Sequence, residues 1–64
     1  MELSEIIRRA EKELQTATRN LDMAKRRGAL EQDVRNLEAK AEYRKKIVGI
    51  LKLVYFYDTN EKEN

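Results

Sequence analysis

The chain has no cysteine, no histidine and no proline, and only two of its 64 residues are glycine. Each absence closes a route. Without cysteine no disulfide can form, and without cysteine and histidine together the soft metal ligands and the commonest nucleophile-base pairs are missing. The expectation is a protein that acts without catalysis, cofactor or metal. A carboxylate pair at helical spacing exists in Glu38 and Glu42, but such pairs are ordinary on exposed helices. Tryptophan is also absent, and aromatic residues make up 6% of the chain, with Tyr55, Phe56 and Tyr57 adjacent to one another. A chain of this length buries only about 60% of its unfolded surface and needs further support for its core. With disulfides and metals set aside, oligomerisation is the support that remains.

An excess of charge of one sign is lacking as well. Lysine and arginine number 14 against 12 aspartate and glutamate, a net charge of +2 in a composition that is 41% charged. That balance describes a solvated surface and not the strongly basic one of a dedicated nucleic-acid binder. The opening residues Met1-Glu2-Leu3-Ser4-Glu5 carry acid where a secretion signal carries base, and no apolar run follows them. Together with the lack of cysteine, this sets a cytoplasmic expectation.

What the chain does have is periodicity. Leu3, Ile7, Ala10, Leu14, Ala17, Leu21 and Ala24 recur at alternating spacings of four and three, the mark of a helix with one apolar stripe. The same alternation resumes at Leu30, Val34, Leu37, Ala41, Arg44, Val48, Leu51 and Tyr55. The two series are out of step by one residue at Gly28, so a break belongs there. Glycine suits the left-handed residue just past a helix end, and Lys25, Arg26 and Arg27 complement the dipole of the helix that ends before it. The pattern predicts helix one over about 4–27, a turn at Gly28, helix two over about 30–57, and a polar, flexible tail over 58–64. Ser4 is the candidate N-cap of helix one. Glu5 and Arg9, Asp22 and Arg26, Glu31 and Arg35, and Glu42 and Lys46 form acid-to-base pairs four apart, each adding about 0.2–0.5 kcal/mol to a helix.

The fold class expected is all-α: an antiparallel two-helix hairpin that pairs into a homodimeric four-helix bundle. The seam of helix one alternates large residues with alanine, which brings Ala17 near Leu37 and Ala10 near Arg44. Arg44 is the one cation on a seam. Its stem is expected to cross Ala10 and its head to reach Glu11 or Glu13.

Past this point helix two breaks its own pattern. Ile47-Val48-Gly49-Ile50-Leu51-Lys52-Leu53-Val54-Tyr55-Phe56-Tyr57 is apolar almost all the way round, and a helix of that kind must be covered on every side. One neighbouring helix covers one side. The segment 53–57 has strand-forming side chains, but the chain supplies no partner strand. The remaining apolar surface marks an interface. Its expected residues are Ile47, Ile50, Leu51, Val54, Tyr55 and Phe56, joined by Ile6 from helix one, and the simplest occupant is a second copy of the chain.

Three functional classes follow. The first is a non-catalytic interaction module, a homo-oligomer with a dimer favoured, that binds a partner protein as a regulator, adaptor or assembly component. The second is nucleic-acid binding through Arg8, Arg9, Lys12, Arg19, Lys45 and Lys46. In length and in its hairpin-with-tail layout the chain resembles the plasmid repressor-of-primer proteins, and that resemblance implies a dimeric four-helix bundle that binds RNA hairpins. The third is a membrane-surface anchor, in which Arg44-Lys45-Lys46 meets phosphate and the aromatic run sits among headgroups. A membrane-spanning role is not expected, because about 20 apolar residues are needed and Lys52 interrupts the run.

Overall fold

The computed structural model describes residues 2–63, with side chains described as far as Thr59. Two helices account for it: α1, Leu3–Arg26, and α2, Glu31–Glu63. They pack against each other as a hairpin. The molecule measures 52 × 15 × 15 Å with a radius of gyration of 15.2 Å, where a globule of this length would be about 11 Å. It is a short rod whose length is that of α2.

The seams run where the four-three spacing puts them. Along α1 the half-buried or buried residues are Leu3, Ile7, Ala10, Leu14, Ala17, Leu21 and Ala24, and nothing else on that helix is covered. Along α2 they are Val34, Leu37, Ala41, Arg44, Val48 and Leu51, with Ile47 added beside them and Thr59 farther along. The core proper is small, consisting of Ile7, Ala17 and Val48. Alanines at every seventh position of α1 keep the two backbones close, so these few side chains close the seam.

The turn is built by the glycine. Gly28 has φ +72°, its N–H donates to the Lys25 carbonyl at 3.3 Å, and the Ala29 N–H donates to the Ala24 carbonyl at 3.0 Å. This pair of bonds is a Schellman closure, which satisfies two carbonyls that the end of α1 would otherwise leave open. Lys25 and Arg26 lie in the last turn, where the dipole favours them.

Four details depart from the sequence reading. The N-cap of α1 is Glu2, with no side-chain cap bond, and its carbonyl accepts from the Glu5 and Ile6 N–H groups at 3.1 and 3.2 Å. Ser4 therefore sits inside the first turn. Leu30 is outside α2 and not on its seam: its carbonyl accepts the first bond of the helix, from the Val34 N–H at 3.0 Å, and its side chain is 74% exposed. Tyr55, at the end of the inner seam, is 44% exposed, because α1 no longer runs beside it. Finally, α2 continues past Tyr57 to Glu63, since no proline or glycine interrupts that stretch. Asn64, the end of the expected tail, lies outside the described residues.

Leucine is a poor residue at a helix N-terminus because it offers no acceptor for the free N–H groups. Leu30→Ser should therefore stabilise the hairpin by about 1 kcal/mol in chemical denaturation at a fixed protein concentration. Gly28→Ala should cost about 1–2 kcal/mol in the same measurement, because its left-handed φ strains any side chain.

Candidate interaction surface

The hairpin has two flanks of different character. Glu11 and Glu13 are two residues apart on α1, so they leave the helix on opposite flanks of the seam. On the first flank Glu11 accepts an ion pair from Lys52 at 3.6 Å, and Lys25 reaches Glu38 at 3.8 Å nearer the turn. Charged bridges between the helices close that side. On the second flank Glu13 meets Arg44 at 2.6 Å, and the helices leave open grooves above and below that pair.

Arg44 resolves as the seam pattern requires. It is half-buried, and its guanidinium Nη1 donates to Glu13 Oε2. Both ends of the pair keep contact with solvent, which limits its worth to about 0–1 kcal/mol. Within α1 and α2, Asp22 pairs with Arg26 at 3.2 Å and Glu31 with Arg35 at 2.9 Å, as their four-residue spacing implies. Both pairs are solvent-exposed.

The second flank divides along its length. Toward the turn, a groove of about 450 Å³ has Arg9, Lys12, Lys40 and Arg44 on its walls, with Ala17 and Leu37 between them. Toward the open end, a groove of about 300 Å³ is lined by Ile6, Ala10, Ile47 and Leu51 with Arg9 and Glu13 at its margin. Three of the residues named from the sequence as interface, Ile6, Ile47 and Leu51, thus come together across the two helices. Beyond them α2 stands with little cover: Ile50 is 62% exposed, Val54 49%, and Tyr55 and Phe56 are exposed as well. Phe56 packs edge-on against Tyr57, ring centroids 5.8 Å apart at 76°, and this contact covers neither ring from water.

Two further residues belong to this surface. Tyr43 and Tyr57 are both exposed large side chains, and they stand at four-three spacing with Ile47, Ile50 and Val54. That spacing is the signal that finds them, once the inner seam of α2 is known to be a different stripe. Leu53 is exposed too, on another face of the same helix. Gly49 needs no steric explanation from the hairpin, since a Cβ there would meet nothing within 4 Å.

The basic residues named for nucleic-acid contact are all exposed. Arg9 and Lys12 share the turn-side groove with Lys40 and Arg44, while Arg8, Arg19, Lys45 and Lys46 are not part of its lining. Among the described residues, no helix is long and apolar enough to cross a membrane.

Comparison with protein-family models, curated proteins and solved structures returns no match to this chain.

Leu at position 44 would continue the apolar seam over Ala10 and leave Glu13 in solvent. Arg44→Leu should raise the melting temperature by a few degrees, since about 1 kcal/mol shifts a domain of this size by roughly 4–8 °C. A fall of similar size would show that the Glu13 pair contributes more than its exposure implies.

Proposed function

We propose that this protein is a non-catalytic helical interaction module that self-associates and, once assembled, binds a partner protein as a small regulator, adaptor or assembly component. One observation carries the reading. The second half of α2 presents Ile50, Leu53, Val54, Tyr55, Phe56 and Tyr57 to solvent, and the apolar residues of α1, apart from the exposed Ile6 and Met23, are taken up by the inner seam. Leaving such side chains wet forfeits about 1.5–3 kcal/mol each relative to burying them. A second copy covers both surfaces in one contact, because an isologous interface uses the same patch twice. The small core points the same way, since three well-buried residues give a 64-residue chain little stability on its own.

Two hairpins joined through this surface make a four-helix bundle of the usual kind. The outer faces of that bundle are charged and mixed in sign, suited to selecting a protein partner by complementarity. Nucleic-acid contact is the second reading, supported by Arg9, Lys12, Lys40 and Arg44 on one groove, although Glu13 already engages Arg44. Binding that weakens steeply from low to moderate salt would favour it.

Equilibrium sedimentation tests the main reading. The protein should sediment as an oligomer at micromolar concentration. Ile50→Lys with Val54→Lys should weaken association by roughly two orders of magnitude while helix content by circular dichroism is retained. A wild-type chain that stays monomeric throughout that range would overturn self-association.

A further inference from the structure

The two flanks of the hairpin differ in how their charges are balanced. On the first, carboxylates meet cations across the helices, Glu38 with Lys25 and Glu11 with Lys52. On the second, the turn-side groove of about 450 Å³ has Arg9 and Lys12 from α1 and Lys40 and Arg44 from α2, against a single carboxylate, Glu13. Glu13 is engaged by Arg44 at 2.6 Å. Among the described residues, the exposed side chains of Arg9, Lys12 and Lys40 have no ion-pair partner. Four cations against one carboxylate give the groove a net +3, while the whole chain has +2, so the rest of the chain nets −1. The positive charge of the molecule is thus gathered in one concave place, where it attracts an anion most strongly.

The rest of the lining selects among anions. Between the cations lie Ala17, which is buried, and Leu37, which is half-buried, so the floor is apolar. No aromatic ring lines the groove, whereas sites for single-stranded nucleic acid stack bases on such rings. A phosphodiester backbone has nothing apolar to set on Leu37. An acidic polypeptide has, because it brings carboxylates to the cations of both helices and an aliphatic side chain to the floor between them. The lining extends along α1 from Arg9 to Asn20, about 16 Å at the helical rise, which is the length of about five extended residues.

We propose that the turn-side groove docks an acidic polypeptide segment of a partner protein, with carboxylates on Arg9, Lys12 and Lys40 and an aliphatic side chain on Leu37. This rests on the partner-binding role proposed above and supplies the chemistry of that partner. None of the apolar residues from Ile50 to Tyr57 lines the groove, so docking and self-association use different residues. The charges give direction and selectivity, and the floor rejects anions that bring charge alone.

The test uses the full chain and a short fluorescent peptide with glutamates on both sides of a leucine pair, read by anisotropy at low salt. The peptide should bind. Replacing its glutamates by glutamine, or its leucines by serine, should weaken binding at least severalfold. Arg9→Glu with Lys40→Glu should weaken it tenfold or more, because two attractions become repulsions at residues that take no part in the seam. Lys45→Glu with Lys46→Glu, the same change of net charge outside the groove, should leave it within about twofold. Circular dichroism checks that the helices persist in each variant. A peptide that fails to bind, that binds as well with glutamine or serine, or that responds equally to both double substitutions overturns the groove as a docking site. A short single-stranded RNA that binds more tightly than the peptide, displaces it and loses its own affinity in Arg9→Glu with Lys40→Glu assigns these cations to phosphate and overturns the polypeptide reading. Sedimentation of the wild-type chain without peptide reads self-association separately, so failure of either proposal is told from failure of the other.

Discussion

A helix with a single apolar stripe can cover one side of a neighbour, and every property of this molecule follows from α1 having one stripe while α2 has more. The seam that α1 does cover, around Ile7, Ala17 and Val48, holds the hairpin together. Its alanines decide how near the backbones lie, and nearness is what allows so few large side chains to exclude water. The ion pairs at its edges, Lys25 with Glu38, Lys52 with Glu11 and Arg44 with Glu13, all keep solvent contact and contribute little by themselves. They fix which flank is closed and which is open.

That asymmetry gives the surface its meaning. The flank bridged by Lys52 and Lys25 presents charge to solvent. The opposite flank presents a basic groove near the turn and an apolar one near the open end, which runs on into the exposed half of α2. A partner that sought only charge would meet Glu13 among the cations. One that brought apolar side chains would find Ile6, Ile47, Leu51 and the stripe through Ile50 already aligned. The proposed self-association uses the second property.

Several features of the fold were legible in the residues, and each has a local cause. The four-three spacing identified both halves of the inner seam, because helical period alone decides which residues share a face. Gly28 marked the turn because only glycine takes a left-handed φ without strain, and the one-residue slip between the two series placed the break at the same point. Arg44's reach to Glu13 was foreseeable from the length of its side chain and the acids within range. Leu30 was less legible. Its spacing fits the seam, but the closure after Gly28 uses Ala29 and leaves Leu30 as the residue whose carbonyl starts α2, so its side chain departs from the helical face. The N-terminus shows the same limit, since Ser4 has the right chemistry for a cap while the helix is already under way at Leu3, with Glu2 as its cap.

By itself, then, the sequence determined the two helices, the turn between them and the seam they share, because periodicity, propensity and the special freedom of glycine act within a few residues of one another. It also showed that α2 carries more apolar surface than one neighbour can hide. Tertiary structure decided where the two rods lie side by side, and with that which cations share a groove, which flank is bridged, and which α2 residues remain in water. Those outcomes depend on the relative placement of residues about thirty positions apart, as in Glu13 with Arg44, and no local pattern encodes the distance between them.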